Sequence, residues 1–206
     1  MQQSRTARWV LGVLSALVLI GIGYGAGLIT PSLRAPGNTS PEAGFARDMS
    51  AHHAQAVGMA NLELQYGSTP AVKELALAIA TSQQAQIGMM TVWLQDWKLQ
   101  PTGTQARMAW MPDGAPLLPG GLMPGMASVT QMNQLNVDRG KAEDILFCQL
   151  MLRHHLGGIH MAEGILQLTH LQQVRDLATS MVNDQQGEVG TLQDLLKQLG
   201  AQPLSS

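Results

Sequence analysis

Apolar positions recur at helical intervals along most of this chain, broken at a few points by proline and glycine. The first apolar block is of another kind. From Trp9 to Ile29 no residue is charged, and Arg5 and Arg8 precede the run. At ~1.5 Å per residue a helix of that length reaches about 30 Å, the depth of a hydrocarbon core. Basic residues before the run and none directly after it predict a transmembrane anchor with a cytoplasmic N-terminus and an extracytoplasmic domain. A cleaved signal peptide, giving a secreted or periplasmic protein, is the alternative. Residues 1–29 are thus the anchor or signal segment, and 30–40, with Pro31, Pro36 and Gly37, a linker.

Beyond the linker the period is that of helices. Ser40-Pro41 is a start signal, an N-cap serine with proline at the first helical position, and Gly67 a stop after Tyr66. Thr69-Pro70 opens a second helix to about Leu99, with Val72, Leu75, Ile79, Ile87, Met90 and Leu94 at helical spacing. Residues 100–127 lose the period and carry Pro101, Pro112, Pro116, Pro119 and Pro124, as a long functional or mobile loop would. Ser128-Val129-Thr130-Gln131 is a capping box for a short helix. Long helices are then predicted from about Asp138 to Thr169 and from Leu171 to Leu199, where Gly200 stops the last.

Shifting the chain against itself by 102 residues aligns its halves without a gap. Phe45, Met49, His52, His53, Met59, Ala60, Leu64 and Gln65 meet Phe147, Met151, His154, His155, Met161, Ala162, Leu166 and Gln167. Val72, Leu75, Ala76, Gln83, Gln84, Gly88 and Leu94 meet Val174, Leu177, Ala178, Gln185, Gln186, Gly190 and Leu196. The domain at 41–200 is therefore a duplicated helical hairpin, 41–99 and 128–200, joined by the insert 100–127. Neither hairpin can bury its apolar stripe alone, so the expected fold is all-α, a four-helix bundle.

Composition narrows the chemistry. Charged residues make up 13% and the net charge is −2, which argues against a nucleic-acid partner. Methionine is abundant, at 13 residues, and the one cysteine, Cys148, rules out an intrachain disulfide.

The run from Phe45 through Met49-Ser50-Ala51-His52-His53 to Met59-Ala60 resembles the signature of domain-of-unknown-function family 305. So do Met123-Pro124-Gly125-Met126, Asp144-Ile145-Leu146-Phe147 and Met151-Leu152-Arg153-His154-His155 with Met161-Ala162. The resemblance covers about residues 42–200. It implies a ferritin-like four-helix fold, export, and for some members copper binding and tolerance. This chain departs from the family's Gln-x-x-Glu pattern in its first half, which reads Gln83-Gln84-Ala85-Gln86; the second half keeps Gln185 and Glu188.

On a helix Met49, His52, Ala56, Met59 and Glu63 share one stripe, with His53 beside it, and Met151, His154, Gly158 and Met161 share the equivalent one, with His155 and His160 flanking. Imidazole with thioether suits Cu(I), and by the same softness Ag(I). The candidate ligands are Met49, His52, His53, Met59, Met151, His154, His155 and Met161. His160, Glu63, Met90, Glu188 and the loop methionines Met108, Met111, Met123 and Met126 are weaker ones. The loop methionines are either an exposed arm that collects metal or a lid. No Glu-x-x-His occurs, which argues against a di-iron centre, and no nucleophile or phosphate-loop motif demands an enzyme. Three functions follow: a membrane-anchored copper protein that stores, buffers or hands on Cu(I); a metal-free interaction module with structural histidines; and, more remotely, a copper-dependent redox enzyme. A homo-oligomer or an envelope protein is the partner expected besides metal and membrane.

Overall fold

The computed structural model describes residues 13–24, 35–114 and 117–204. It divides into two compact units, residues 1–36 and 37–206. In the first unit, helix α1 (residues 13–24) is described, and its apolar side chains are exposed. Among the described residues no helix is long and apolar enough to cross a membrane. The remainder of the span expected over 9–29 lies outside the described residues.

The second unit is all-helical, with no strand among the described residues. Its helices are α2 (Pro41–Tyr66), α3 (Pro70–Asp96), the short α4 (Val129–Val137), α5 (Lys141–Leu168) and α6 (Gln172–Leu199). The punctuation acts as its chemistry predicts. Ser40 Oγ accepts from Ala43 N–H, Ser128 and Gln131 form the reciprocal capping box, and Gly200 closes α6 in the left-handed conformation. The third long helix begins at Lys141 rather than near Asp138, because Gly140 turns at φ 61° and donates its N–H to Tyr66 O.

α2 packs on α3 and α5 on α6, and the hairpins join through an antiparallel α2–α5 contact, while α3 and α6 meet only briefly. The central pair explains why α2 and α5 bury residues on several faces: each is covered by its hairpin mate, by the other hairpin and by the insert. The antiparallel register sorts the core into two apolar clusters. Met49 and Phe45 pack with Met161 and Ile165 in one, and Met59 and Ala56 with Met151 and Phe147 in the other.

Each hairpin's turn is held by the other hairpin. Asp144, in the first turn of α5, accepts from the amides and hydroxyls of Ser68 and Thr69 between α2 and α3. Glu42, its equivalent at the 102-residue offset, accepts from Thr169 Oγ1 between α5 and α6. Thr69 therefore makes no side-chain cap on its own helix; its hydroxyl is given to Asp144.

Candidate metal centre

The two stripes meet where α2 crosses α5, between the apolar clusters. The rings of His52 and His154, equivalent residues of the two halves, lie 3.8 Å apart between centroids with 34° between their planes. His53 stands 6.4 Å from His52, and all four doublet imidazoles are buried. Met49, Met59, Met151 and Met161 are fully buried in the clusters on either side.

Three imidazoles are fixed through Nε2. His52 donates to the carbonyl of Pro124 (3.0 Å), His53 to Gln86 Oε1 (2.7 Å) and His155 to Glu188 Oε2 (2.6 Å). Gln86 and Glu188 are equivalent at the 102-residue offset, so the halves use one geometry with different charge. Oxygen accepts in all three bonds, which puts the proton on Nε2 and a lone pair on Nδ1. The Nδ1 atoms of His52, His53 and His155, and Nε2 of His154, are buried without a protein partner. Leaving a buried polar atom unpaired costs about 1–3 kcal/mol. Donation of one ring N–H to a carbonyl or carboxylate, with the other nitrogen bare, is also how ligating histidines are usually oriented.

Burial pushes His52 down to about 4, against the bond it donates to Pro124 O, which raises it. Burial, then repulsion from His52, pushes His53 down to about 3, and burial holds His154 well below the usual histidine range. These imidazoles are neutral at pH 7, the form that binds metal.

The insert is a lid. Met108, Met111 and Met123 are buried in the same cluster as Met49 and Met161, and Met126 packs at its edge. Asp48 accepts from Met108 N–H and the Trp110 indole, Gln55 exchanges two bonds with the backbone of Ala127, and Arg153 donates to Gln131 and Met126 O. The strap at Pro124-Gly125 sits against Gly157, where a Cβ would stand 2.0 Å from Pro124 O. No exposed collecting arm is formed by Met108, Met111 or Met123.

The remaining candidates separate. Met90 joins the Met49 cluster, whereas His160 is at the surface, 3.0 Å from Asp113. Glu63 lies about three turns along α2 from His52, roughly 16 Å at 1.5 Å per residue, and faces Asp144 at the opposite end of the bundle. Burial and the Asp144 charge push Glu63 up to about 9, and burial and Asp138 push Glu143 up to about 8. Burial would raise Asp144 too, but the Thr69 and Ser68 hydrogen bonds hold it below the usual carboxylate range. Among the described residues no three His, Cys, Asp or Glu side chains are placed to hold one ion. A soft monovalent ion needs fewer donors and takes thioethers.

Sequence reasoning matched Gln83 with Gln185 but did not count them among the site residues; both are buried with bare Oε1 atoms. Gln185 Oε1 lies 2.4 Å from where a Cβ of Gly158 would be, in the space that glycine leaves on the stripe. Their identity at the 102-residue offset was the signal that pointed to them. Asp48, Gln55 and the Pro124 carbonyl, which seat the lid, carry no such mark.

The chain belongs to the family described as domain of unknown function (DUF305), whose family model matches residues 42–196. It is similar to the crystal structure of a presumed secreted DUF305 protein from Streptomyces coelicolor. The two are 38% identical over 82% of this chain and 100% of that one, with a TM-score of 0.77. A DUF305 fragment from Deinococcus radiodurans is 31% identical over 79% and 99%, with a TM-score of 0.66. The Cu(I)-bound form of CopM shares the fold at 22% identity, over 77% and 96%, with a TM-score of 0.60. No protein of curated function matches the sequence.

Proposed function

We propose that this chain is an exported Cu(I)-binding protein that stores, buffers or hands on the ion, with Ag(I) as a chemical surrogate. The observation that carries this reading is the group of four buried imidazoles at the α2–α5 crossing, each with a ring nitrogen left without a protein partner. Buried thioethers of Met49, Met59, Met151 and Met161 complete a donor set that favours a soft ion over Mg²⁺ or Ca²⁺. The reading draws support from CopM, which shares the fold and has Cu(I)- and Cu(II)-bound forms. Export draws support from the presumed secreted relative, and the uncharged run at 9–29 would hold the domain at the outer face of the membrane.

The test is a Cu(I) titration of the chain against a chromophoric Cu(I) chelator. The double variant H52A/H154A is expected to bind at least about tenfold more weakly, ~1.4 kcal/mol, with its apo helical content retained. A second reading, a metal-free interaction module, is favoured by the bonds that already hold His52, His53 and His155. It wins if the double variant binds Cu(I) as tightly as the parent and unfolds at a markedly lower temperature.

A further inference from the structure

Building on the copper reading, we infer that Glu188 is the counter-charge of the site, and that the histidine cluster consequently takes one Cu(I) per chain. The donors themselves bring no negative charge, since thioethers and neutral imidazoles are uncharged. A cation moved into such a core is strongly unfavourable unless an opposite charge accompanies it. Glu188 supplies that charge. Its carboxylate is 2.6 Å from His155 Nε2 and its side chain is only 18% exposed. The N–H···O⁻ bond couples it through the ring to the bare Nδ1 on the other side.

The duplication provides an internal comparison. Gln86 holds His53 with the same geometry at 2.7 Å, but it is neutral. The other charged side chains adjoining the doublets are committed to the lid. Asp48 is bound by Met108 N–H and the Trp110 indole, and Arg153 by Gln131 and Met126 O. Among the described residues Glu188 is thus the one carboxylate hydrogen-bonded to a doublet imidazole. One carboxylate balances one monovalent ion, and the uncharged first half leaves a second without compensation.

The experiment titrates the full chain with Cu(I) against a chromophoric chelator and compares four proteins. The parent is expected to show one tight equivalent. Glu188→Gln keeps the volume and the hydrogen bond but should weaken binding about tenfold or more, with the apo circular dichroism unchanged. The charge swap Q86E/E188Q should return the affinity to within about threefold of the parent, since the carboxylate is restored on the equivalent histidine. Gln86→Glu alone should add a second tight equivalent. A Glu188→Gln variant that binds within about twofold of the parent, or a charge swap that recovers nothing, overturns the counter-charge role. A Gln86→Glu variant still limited to one equivalent overturns the stoichiometric argument. A parent chain that binds no Cu(I) overturns the copper reading and this inference together, a pattern distinct from the others.

Discussion

Gly157→Ala isolates the contact that closes the lid. A Cβ at Gly157 would stand 2.0 Å from Pro124 O, 2.5 Å from Pro124 C and 2.9 Å from Gly125 N, whereas ordinary contact begins near 3.4 Å. The obstructing atoms are backbone, so the strap must lift from α5 instead of rotating a side chain away. Lifting it stretches the 3.0 Å bond from His52 Nε2 to Pro124 O and strains the paired bonds of Gln55 with Ala127. Leaving the buried His52 donor unpaired costs ~1–3 kcal/mol, and each weakened Gln55 bond up to ~1 kcal/mol. Against this, alanine in place of a helical glycine gains about 1 kcal/mol. The expected net loss is about 2–3 kcal/mol, or roughly 5–10 °C in Tm for a domain of this size. Thermal unfolding by circular dichroism measures it, with Gly58→Ala and Gly190→Ala as controls. A Cβ at either control position meets nothing within 4 Å, so both should be stabilised. If Gly157→Ala unfolds at or above the parent temperature, the strap is not seated as described.

Stability should pass through a maximum near pH 6.5. His52, His53 and His154 have depressed folded pKa values, so their contribution is complete above about 6.5 and is lost as the pH falls, toward 4 for His52 and 3 for His53. Glu63 and Glu143 have raised ones, so theirs is complete below 4.5 and is lost as the pH rises through 8 and 9. Three imidazoles outweigh two carboxyls on the acid side, and the carboxyls alone act on the alkaline side; Glu63→Gln should flatten the alkaline limb in urea unfolding. Stability that continues to rise from pH 6.5 to 8 in the parent contradicts this assignment. Asp144→Ala should cost about 2–3 kcal/mol and Glu42→Ala under ~1.5, because the first strands four donors of one turn and the second a single hydroxyl. Equal losses in chemical denaturation would show that the turns are not held as unequally as the bonds imply.

The long helices were legible in the sequence because their signals are local. Ser40-Pro41, Gly67, the Ser128–Gln131 capping box and Gly200 act within one turn of where they stand. The duplication marked equivalent Met and His stripes in the two halves, and the antiparallel packing of α2 on α5 brings them face to face. The insert was not legible. Its seating depends on Asp48, Gln55, Gly157 and Gly164, each reached from 32 to 72 residues away, and nothing local marks them as receptors for the loop. For the same reason its methionines could be read from sequence as exposed collectors or as a lid. At the site, residue types identified the imidazoles, but not that Nε2 would carry the proton in three of them. That is set by Pro124, Gln86 and Glu188, the nearest of them 33 residues away in sequence.

The crossed fastening of the turns bears on how such a chain comes together. A single hairpin of this kind has an acid at its first turn that cannot reach its own loop, and a loop whose hydroxyls and amides await an acid from elsewhere. Two separate copies could satisfy each other only as a dimer, and their stability would then fall with dilution. Joining the copies by residues 100–127 replaces that encounter with an intramolecular one at high effective concentration. The tether is also free to diverge from two-fold symmetry, because it exists once. It does so by laying Pro124 on His52 and leaving His154, the symmetry mate, without a partner at Nε2. A symmetric dimer would cover both histidines or neither; the fused chain covers one and leaves the other bare.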